Sequence, residues 1–297
     1  MKKGIWLAAG AYGCWGLVPL YWKLLRQTPA LQLLSHRIVW SFLALLIIVL
    51  AMRQWKTFQR EALSFRILMI YLIAAILIGI NWLLYVWAVN TGHIVETSLG
   101  YFINPLLSML FGVVFFRERL RLWQWIPVGL ATVGVLYLTI ALGSLPWIAL
   151  TLASSFAVYG VVKKIAPLGS LHGLMLETSI LVLPATLFLI LADRAGTGAF
   201  FHTGTENGLL LIGAGVITTF PLLMFASAAQ QIPLSLIGIL QFISPTLQFL
   251  CGVVVFGEKF SHTQLIGYGT VWMALIIFGF ESFSAYRARS VTTAEME

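Results

Sequence analysis

Residues 99–118 read LGYFINPLLSMLFGVVFFRE, and residues 239–258 read ILQFISPTLQFLCGVVVFGE. The two stretches align without gaps at a spacing of 140 residues, and ten of the twenty aligned positions are identical. The shared positions include a proline, a glycine and a closing glutamate, namely Pro105/Pro245, Gly112/Gly252 and Glu118/Glu258. Chance similarity between two apolar helices would not keep these three residue types in register. The chain is therefore predicted to contain an internal repeat.

The composition places this repeat in a membrane. Of the 297 residues, 60% are hydrophobic and 9% are charged, whereas a soluble domain carries about 25% charged residues. So few charges could not solvate the surface of a soluble chain of this length. An ordinary cytosolic enzyme, a nucleic-acid-binding domain and a disordered protein are therefore excluded. The composition predicts an all-α integral membrane protein whose surroundings are the lipid bilayer.

Dividing the apolar stretches by the length of a spanning helix predicts the number of spans. A helix needs about 20 apolar residues to cross about 30 Å of hydrocarbon. No charged residue occurs from Leu122 to Val162 or from Asn207 to Gly257, and each of these stretches is long enough for two spans. The sequence predicts ten transmembrane helices, near residues 4–22, 33–52, 66–88, 93–116, 122–142, 146–163, 171–191, 208–229, 233–256 and 263–283.

The repeat and the charges predict how these spans are threaded. The two matched stretches fall in spans four and nine, the fourth of each half, which predicts two five-helix repeats at 1–142 and 143–284 and a tail at 285–297. Because five is odd, the second repeat enters the membrane from the opposite side. Thirteen of the 18 Lys and Arg residues lie on the side of the N-terminus. Both termini are therefore predicted to be cytoplasmic.

Several ionisable residues fall inside predicted spans, where a charge costs about 2.5–3.5 kcal/mol and calls for a reason. Glu177 lies near the middle of span seven. Either it is a hydrogen-bonded structural carboxylate or it couples transport to a proton or another cation. Glu96 follows His93 by three residues, on the same helix face. This pair either relays protons at the membrane entrance or braces an outer gate.

His36 and Arg37 begin span two. Arg37 either extends to lipid phosphates, or it supplies a fixed positive charge for an anionic or zwitterionic substrate, or it pairs with Glu96. Polar and aromatic residues of other spans are predicted to line a central cavity, and these are Asn81, Trp82, Tyr85, Tyr101, Asn104, Tyr159, Thr218, Gln241 and Ser244. Trp22 is assigned to the interfacial tryptophan belt. Glu118 and Glu258 are interpreted as capping and topology features.

These residues resemble the RarD family of the drug/metabolite transporter superfamily, whose members carry two EamA-type repeats of five helices. The matching motifs cover nearly the whole chain, and they are Trp15-Gly16 with Pro19, Tyr21 and Lys23; His36-Arg37 with Trp40-Ser41; Asn81-Trp82; and the run WAVNTGHIVETSLGYFINP from Trp87 to Pro105. The resemblance implies ten helices, a bacterial inner membrane and a permease role. Members of the family are often linked to chloramphenicol resistance, a label that says little about the natural substrate.

The inverted repeat is the strongest functional signal in the residues themselves, because such repeats place a substrate site between the halves and allow alternating access. The sequence predicts a secondary active transporter, with no enzymatic activity and no cofactor or metal, that exports a small organic metabolite or drug and couples this export to protons. Two alternatives stay open. One is an intramembrane enzyme that processes lipids or isoprenoids, and the other is a passive channel.

Overall fold

The structure is a computed structural model that describes residues 2–62, 64–91, 93–141, 143, 145–202, 204–255, 257, 262–263 and 265–278. This part of the chain is built from helices and contains no strand. The helices are α1 Lys2–Trp22, α2 Ala30–Ala51, α3 Trp55–Ala62, α4 Phe65–Asn90, α5 Ile94–Phe116, α6 Trp125–Ala141, α7 Trp147–Ile165, α8 Ser170–Arg194, α9 Ala199–His202, α10 Thr205–Gln231, α11 Leu234–Gln241, α12 Ile243–Leu250 and α13 Leu265–Phe278.

Within the described residues, eight helical segments are long and apolar enough to cross a membrane. They comprise α2, α4, α5, α6 with its preceding turn, α7, α8, α10, and the combined segment Leu234–Val255. The predicted first and tenth spans correspond to α1 and α13, which are not among these eight. The protein is therefore a multi-pass helical membrane protein, and the count of ten spans stays a prediction. Glu258, the end of the tenth span and the tail at 285–297 lie outside the described residues.

Prolines and left-handed residues set several helix boundaries. Pro29, Pro146 and Pro233 occupy the cap positions before α2, α7 and α11, where the missing N–H of proline costs no helical hydrogen bond. At the other end, α5 stops at Arg117, whose backbone is left-handed with φ 52° and donates to the carbonyl of Gly112. This geometry is a common way to satisfy the last carbonyls of a helix.

Two short helices, α3 and α9, form in stretches that the span prediction left as loops. In α3, Phe58 is buried against the apolar cluster around α2 and α8. Glu61 places a carboxylate oxygen 2.7 Å from Nδ1 of His172 at the start of α8. The loop after α2 is thereby folded back onto the bundle.

The predicted single helix at 233–256 is interrupted. It consists of α11, a break at Phe242, α12, and a π-helical turn at Cys251–Val255. The break lies just before Pro245, which has no N–H to donate to the carbonyl of Gln241. The equivalent α5 runs unbroken from Ile94 to Phe116 through its own proline. The two matched stretches therefore adopt different conformations.

The helices of the two halves interlock. The most extensive contacts among the described helices join α5 to α7 and α11, α2 to α8 and α10, and α1 to α10. The largest apolar cluster among the described residues joins α1, α4, α7, α10 and α11, and it includes Tyr12, Tyr159 and Phe225. Helix starts also recur at the spacing of the sequence repeat, since 30 and 170, 65 and 205, and 94 and 234 each differ by 140.

The α5–α11 crossing is one of the closest in the bundle. A Cβ atom added to Gly238 would lie 2.6 Å from the carbonyl oxygen of Pro105 and 3.0 Å from the amide nitrogen of Met109. A Cβ at Gly112 would lie 2.7 Å from the amide nitrogen of Ser235. These obstacles are backbone atoms, so a side chain at either position would force the helices apart.

We expect Gly238→Ala to lower the stability of the purified protein by about 1–3 kcal/mol, the usual cost of overpacking. The measurement is the thermal unfolding midpoint in detergent. Gly129→Ala is the matched control, because a Cβ at this helical position meets no atom within 4 Å. Equal unfolding midpoints for the two variants would contradict the close crossing.

Candidate functional site

A cavity of about 140 Å³ lies between the two halves of the chain. Its wall is built from α1, α2, α4, α5, α7, α11 and α12, so both halves contribute to it. The residues that line it are Tyr12, Trp15, Val18, Pro19, Trp22, Arg37, Asn81, Trp82, Tyr85, Thr97, Gly100, Tyr101, Asn104, Leu152, Phe156, Gln241, Ser244, Pro245 and Gln248. The lining therefore combines aromatic rings, amides and one guanidinium group.

The structure brings many of the predicted site residues together in this cavity. Those that line it are Arg37, Asn81, Trp82, Tyr85, Tyr101, Asn104, Gln241 and Ser244. The others lie elsewhere, and they are His36, His93, Glu96, Tyr159, Glu177 and Thr218. Neighbouring residues of one helix can differ in this respect because they lie on different faces of the helix. His36, for example, precedes Arg37 in α2 but stacks on Phe200 with ring centroids 5.3 Å apart.

Arg37 is held in a defined orientation. Its Nε donates to Oγ1 of Thr218 over 3.0 Å, and the same Thr218 hydroxyl donates to the carbonyl of Ala214. The guanidinium carbon lies 4.9 Å from the ring centroid of Trp22 and 5.0 Å from that of Trp82. Arg37 therefore faces the cavity between two indole rings, and its predicted pairing with Glu96 is not formed.

Two buried polar atoms of the lining have no hydrogen-bond partner among the described residues. They are Oδ1 of Asn104 and the hydroxyl oxygen of Tyr12, whose side chains are 5% and 1% exposed. Buried polar groups are normally satisfied, so each exception calls for an explanation. Both atoms belong to residues of the cavity wall, where a bound molecule could satisfy them.

Other polar side chains of the lining are already engaged in holding helices together. Nδ2 of Asn81 donates to the carbonyl of Leu152 over 2.8 Å and to Oγ of Ser155 over 3.0 Å, which joins α4 to α7. Oε1 of Gln241 accepts a hydrogen bond from Ser108. These two amides therefore fix the shape of the wall.

The face that α1 presents to the cavity was missed as a lining element. Tyr12, Trp15, Pro19 and Trp22 follow one another at spacings of three, four and three residues, which is the repeat of a single helix face. This spacing is readable in the sequence and could have identified them. Trp22 was assigned to the interfacial belt, whereas the structure places its ring beside Arg37.

Glu177 lies outside the cavity, in a buried cluster with Lys163. Nζ of Lys163 is 2.6 Å from Oε1 of Glu177, and the hydroxyl of Tyr159 donates to Oε2 over 2.9 Å. The carboxylate and the ammonium are each 1% exposed. The two predicted residues Tyr159 and Glu177 therefore meet each other, and both contact Lys163 in the last turn of α7.

His93 and Glu96 do not contact each other through a hydrogen bond or an ion pair. His93 stacks on Trp87 with ring centroids 5.6 Å apart, and its Nδ1 lies 2.9 Å from the hydroxyl of Thr91. Oε2 of Glu96 is buried and has no partner among the described residues. The shared helix face predicted from their spacing does not bring the two side chains together.

Glu118 connects the two halves at one end of the bundle. Its Oε1 and Oε2 accept hydrogen bonds from the backbone amides of Leu234 and Ser235, each over 2.8 Å. These are the first two residues of α11, so the carboxylate caps a helix that is distant in sequence. Nζ of Lys164 lies 3.5 Å from Oε1 of Glu118 and donates to the carbonyl of Ile232. We call these groups the Glu118 clamp.

Comparison with known proteins identifies relatives over nearly the full length. The EamA-like transporter family matches residues 2–140. Protein RarD of Streptomyces exfoliatus is 43% identical over 97% of this chain and 92% of its own length. The uncharacterized transporter YojE of Bacillus subtilis (strain 168) is 44% identical over 97% of each chain. A solved crystal structure with 17% identity covers 93% of this chain and 97% of its own, with a TM-score of 0.67, which shows a shared fold.

The Lys163–Glu177 pair generates a stability prediction. Glu177→Gln leaves the buried ammonium of Lys163 without a countercharge, and breaking a buried pair in this way costs about 3–5 kcal/mol. The thermal unfolding midpoint of the purified protein measures the loss. Tyr159→Phe, which keeps the ion pair, is expected to cost much less.

A double variant separates the charge from the packing. Lys163→Met combined with Glu177→Gln removes both charges and is expected to recover most of the stability lost in the single variant. If Glu177→Gln alone were as stable as the unmodified protein, this would contradict a structural role for the Lys163–Glu177 pair.

Proposed function

This chain belongs to the RarD family of EamA-type permeases, and from that premise we propose that it is a secondary active carrier. It moves a small organic molecule across the bacterial inner membrane by alternating access. The observation that carries this proposal is the cavity between the two halves, which combines a charged group with unpartnered polar atoms. Carriers built from inverted repeats hold their substrates at such a position.

The proposed architecture is two inverted five-helix repeats, at 1–142 and 143–284, with both termini and the tail at 285–297 in the cytoplasm. The recurrence of helix starts at a spacing of 140 supports it. The packing supports it as well, since each major contact has an equivalent under that shift. The α1–α10 contact corresponds to α7–α4, the α5–α7 contact to the α11–α12 segment on α1, and the α2–α10 contact to α8–α4.

Alternating access is supported by a difference between the two repeats. Pro105 packs against Gly238 in the tight α5–α11 crossing, whereas the equivalent Pro245 lines the cavity. The Glu118 clamp lies at the tight end of this crossing. In the proposed topology this end is cytoplasmic, and the cavity faces the opposite side. An exchange of conformation between the repeats would close the outer side and open the cytoplasmic side.

The cavity volume bears on the substrate. At about 140 Å³, the cavity is smaller than the roughly 300–1,000 Å³ typical of sites for drug-sized ligands. This favours a small metabolite over chloramphenicol. Export as the direction of transport is proposed on the resemblance alone.

The two alternative functions are less well supported. An intramembrane enzyme that acts on isoprenoid phosphates would need acidic groups to hold a metal, and the part of the cavity lining that the structure describes contains no Asp or Glu. A passive channel would need a path that is open from both ends, which conflicts with the close approach of α5 and α11. Relatives named as transporters also favour transport.

Cysteine labelling tests alternating access without knowledge of the substrate. Ser244 is replaced by cysteine in a background in which Cys14 and Cys251, the free cysteines, are changed to serine. We expect a membrane-impermeant maleimide to label Ser244→Cys faster in right-side-out vesicles than in inside-out vesicles. Adding Glu118→Gln weakens the clamp by about 1.5 kcal/mol and should shift the ratio of the two rates toward the cytoplasmic side by about tenfold.

Glu206→Gln provides the matched control, since Glu206 is an exposed glutamate in the first turn of a helix, α10. It should leave the ratio unchanged. Equal labelling of Ser244→Cys from both sides, in the protein that keeps Glu118, would indicate a channel. A ratio that Glu118→Gln leaves unaltered would exclude the clamp as the closing contact.

The same labelling tests proton coupling, for which we propose Glu96 as the coupling group. This choice is supported by the unpartnered carboxylate oxygen of Glu96 and by the engagement of Glu177 with Lys163. We expect the labelling ratio to depend on pH. Glu96→Gln should abolish this dependence, whereas His93→Gln should preserve it. Retention of the pH dependence in Glu96→Gln would refute the assignment.

A further inference from the structure

The charges of the cavity wall are unbalanced. Among the described residues that line the cavity, Arg37 is the one with a formal charge. Among the described residues, no Asp or Glu forms an ion pair with it. A positive charge within a membrane-spanning helix is costly, and it normally pairs with another group or serves a function. The countercharge for Arg37 is therefore expected from outside the protein.

The surroundings of Arg37 leave the two terminal nitrogens of its guanidinium group available for an anion. Nε is occupied by Thr218, and the guanidinium lies close to the rings of Trp22 and Trp82. Indole rings stabilise a cation through their π electrons without neutralising its charge. The planar fork of Arg matches the two oxygens of a carboxylate, with which it forms paired charge-assisted hydrogen bonds.

The rest of the wall indicates what else the anion carries. Trp15, Phe156 and Tyr101 supply apolar surface. The unpartnered Oδ1 of Asn104 is an acceptor, so it would be satisfied by an N–H or O–H group on the bound molecule. A single guanidinium balances a single negative charge, which favours a monoanion over a doubly charged phosphate ester.

We propose that Arg37 binds the carboxylate of a small monoanionic substrate in this cavity, with the apolar body of the substrate against the aromatic rings. The proposal rests on the proposed transport function, because it names the class of molecule that the carrier moves. It also assigns Thr218 a positioning role, since Thr218 orients the guanidinium without lining the cavity.

Binding to the purified protein tests the proposal with three probes of similar shape: phenylacetate, its neutral analogue phenylacetamide, and phenyl phosphate. We expect phenylacetate at millimolar concentration to raise the thermal unfolding midpoint more than either other probe. A titration of tryptophan fluorescence gives the affinity, because Trp22 and Trp82 flank the site. Arg37→Gln should weaken phenylacetate binding by at least about tenfold, and Arg37→Lys by less.

Arg26→Gln is the charge-matched control, since Arg26 is exposed and does not line the cavity, and it should bind phenylacetate normally. Thr218→Val should weaken phenylacetate binding while leaving the weak response to phenylacetamide unchanged. A merely structural Arg37 would instead lower the unfolding midpoint without changing the preference for phenylacetate. Equal responses to phenylacetate and phenylacetamide, or no response to phenylacetate, would overturn the proposal, as would a stronger response to phenyl phosphate.

These outcomes are independent of those of the labelling experiment. Carboxylate binding that depends on Arg37, together with equal labelling from both sides, would support the proposed anion site and contradict the proposed carrier function. A labelling ratio that shifts as expected, without any carboxylate binding, would support the carrier function and contradict the proposal of a carboxylate substrate.

Discussion

The close crossing of α5 and α11 is the contact on which the rest of the arrangement depends. Glycines at 112 and 238 let the two backbones approach, and the carboxylate of Glu118 then satisfies the first amides of α11. Those amides have no partner within their own helix, and in hydrocarbon an unsatisfied amide costs several kcal/mol. The contact closes one end of the bundle. Farther along, residues of both helices line the cavity.

The protein handles its intramembrane charges in two ways. Lys163 and Glu177 neutralise each other at 2.6 Å, with a tyrosine hydroxyl on the second carboxylate oxygen. This cluster is buried and complete, so it needs nothing from a ligand. Arg37 is instead positioned by a hydroxyl and two indole rings and keeps its net charge. This difference separates the paired charges, which stabilise the bundle, from the cation for which we propose a binding role.

The sequence predicted much of the cavity, but it could not distinguish the residues that line it from those nearby. Asn81, Tyr101 and Gln241 were identified because a polar group in an apolar helix is conspicuous. Tyr159 and Glu177 were equally conspicuous, yet they face each other and Lys163. Trp22 was missed because an aromatic residue near a helix end is also typical of the membrane interface. Residue type signals that a side chain is unusual, while its direction depends on how the helix is rotated in the bundle.

Residue order and composition alone determined that this is a helical membrane protein, where its long apolar segments lie and that one segment recurs after 140 residues, because hydrophobic length and local repetition are properties of the chain itself. The family followed from the same residues. Tertiary structure decided which polar groups share a cavity, that Glu118 reaches the start of α11, and that one repeat is continuous where its counterpart is broken. These features depend on helices that are far apart in sequence and on side-chain directions, so they arise only when the bundle packs.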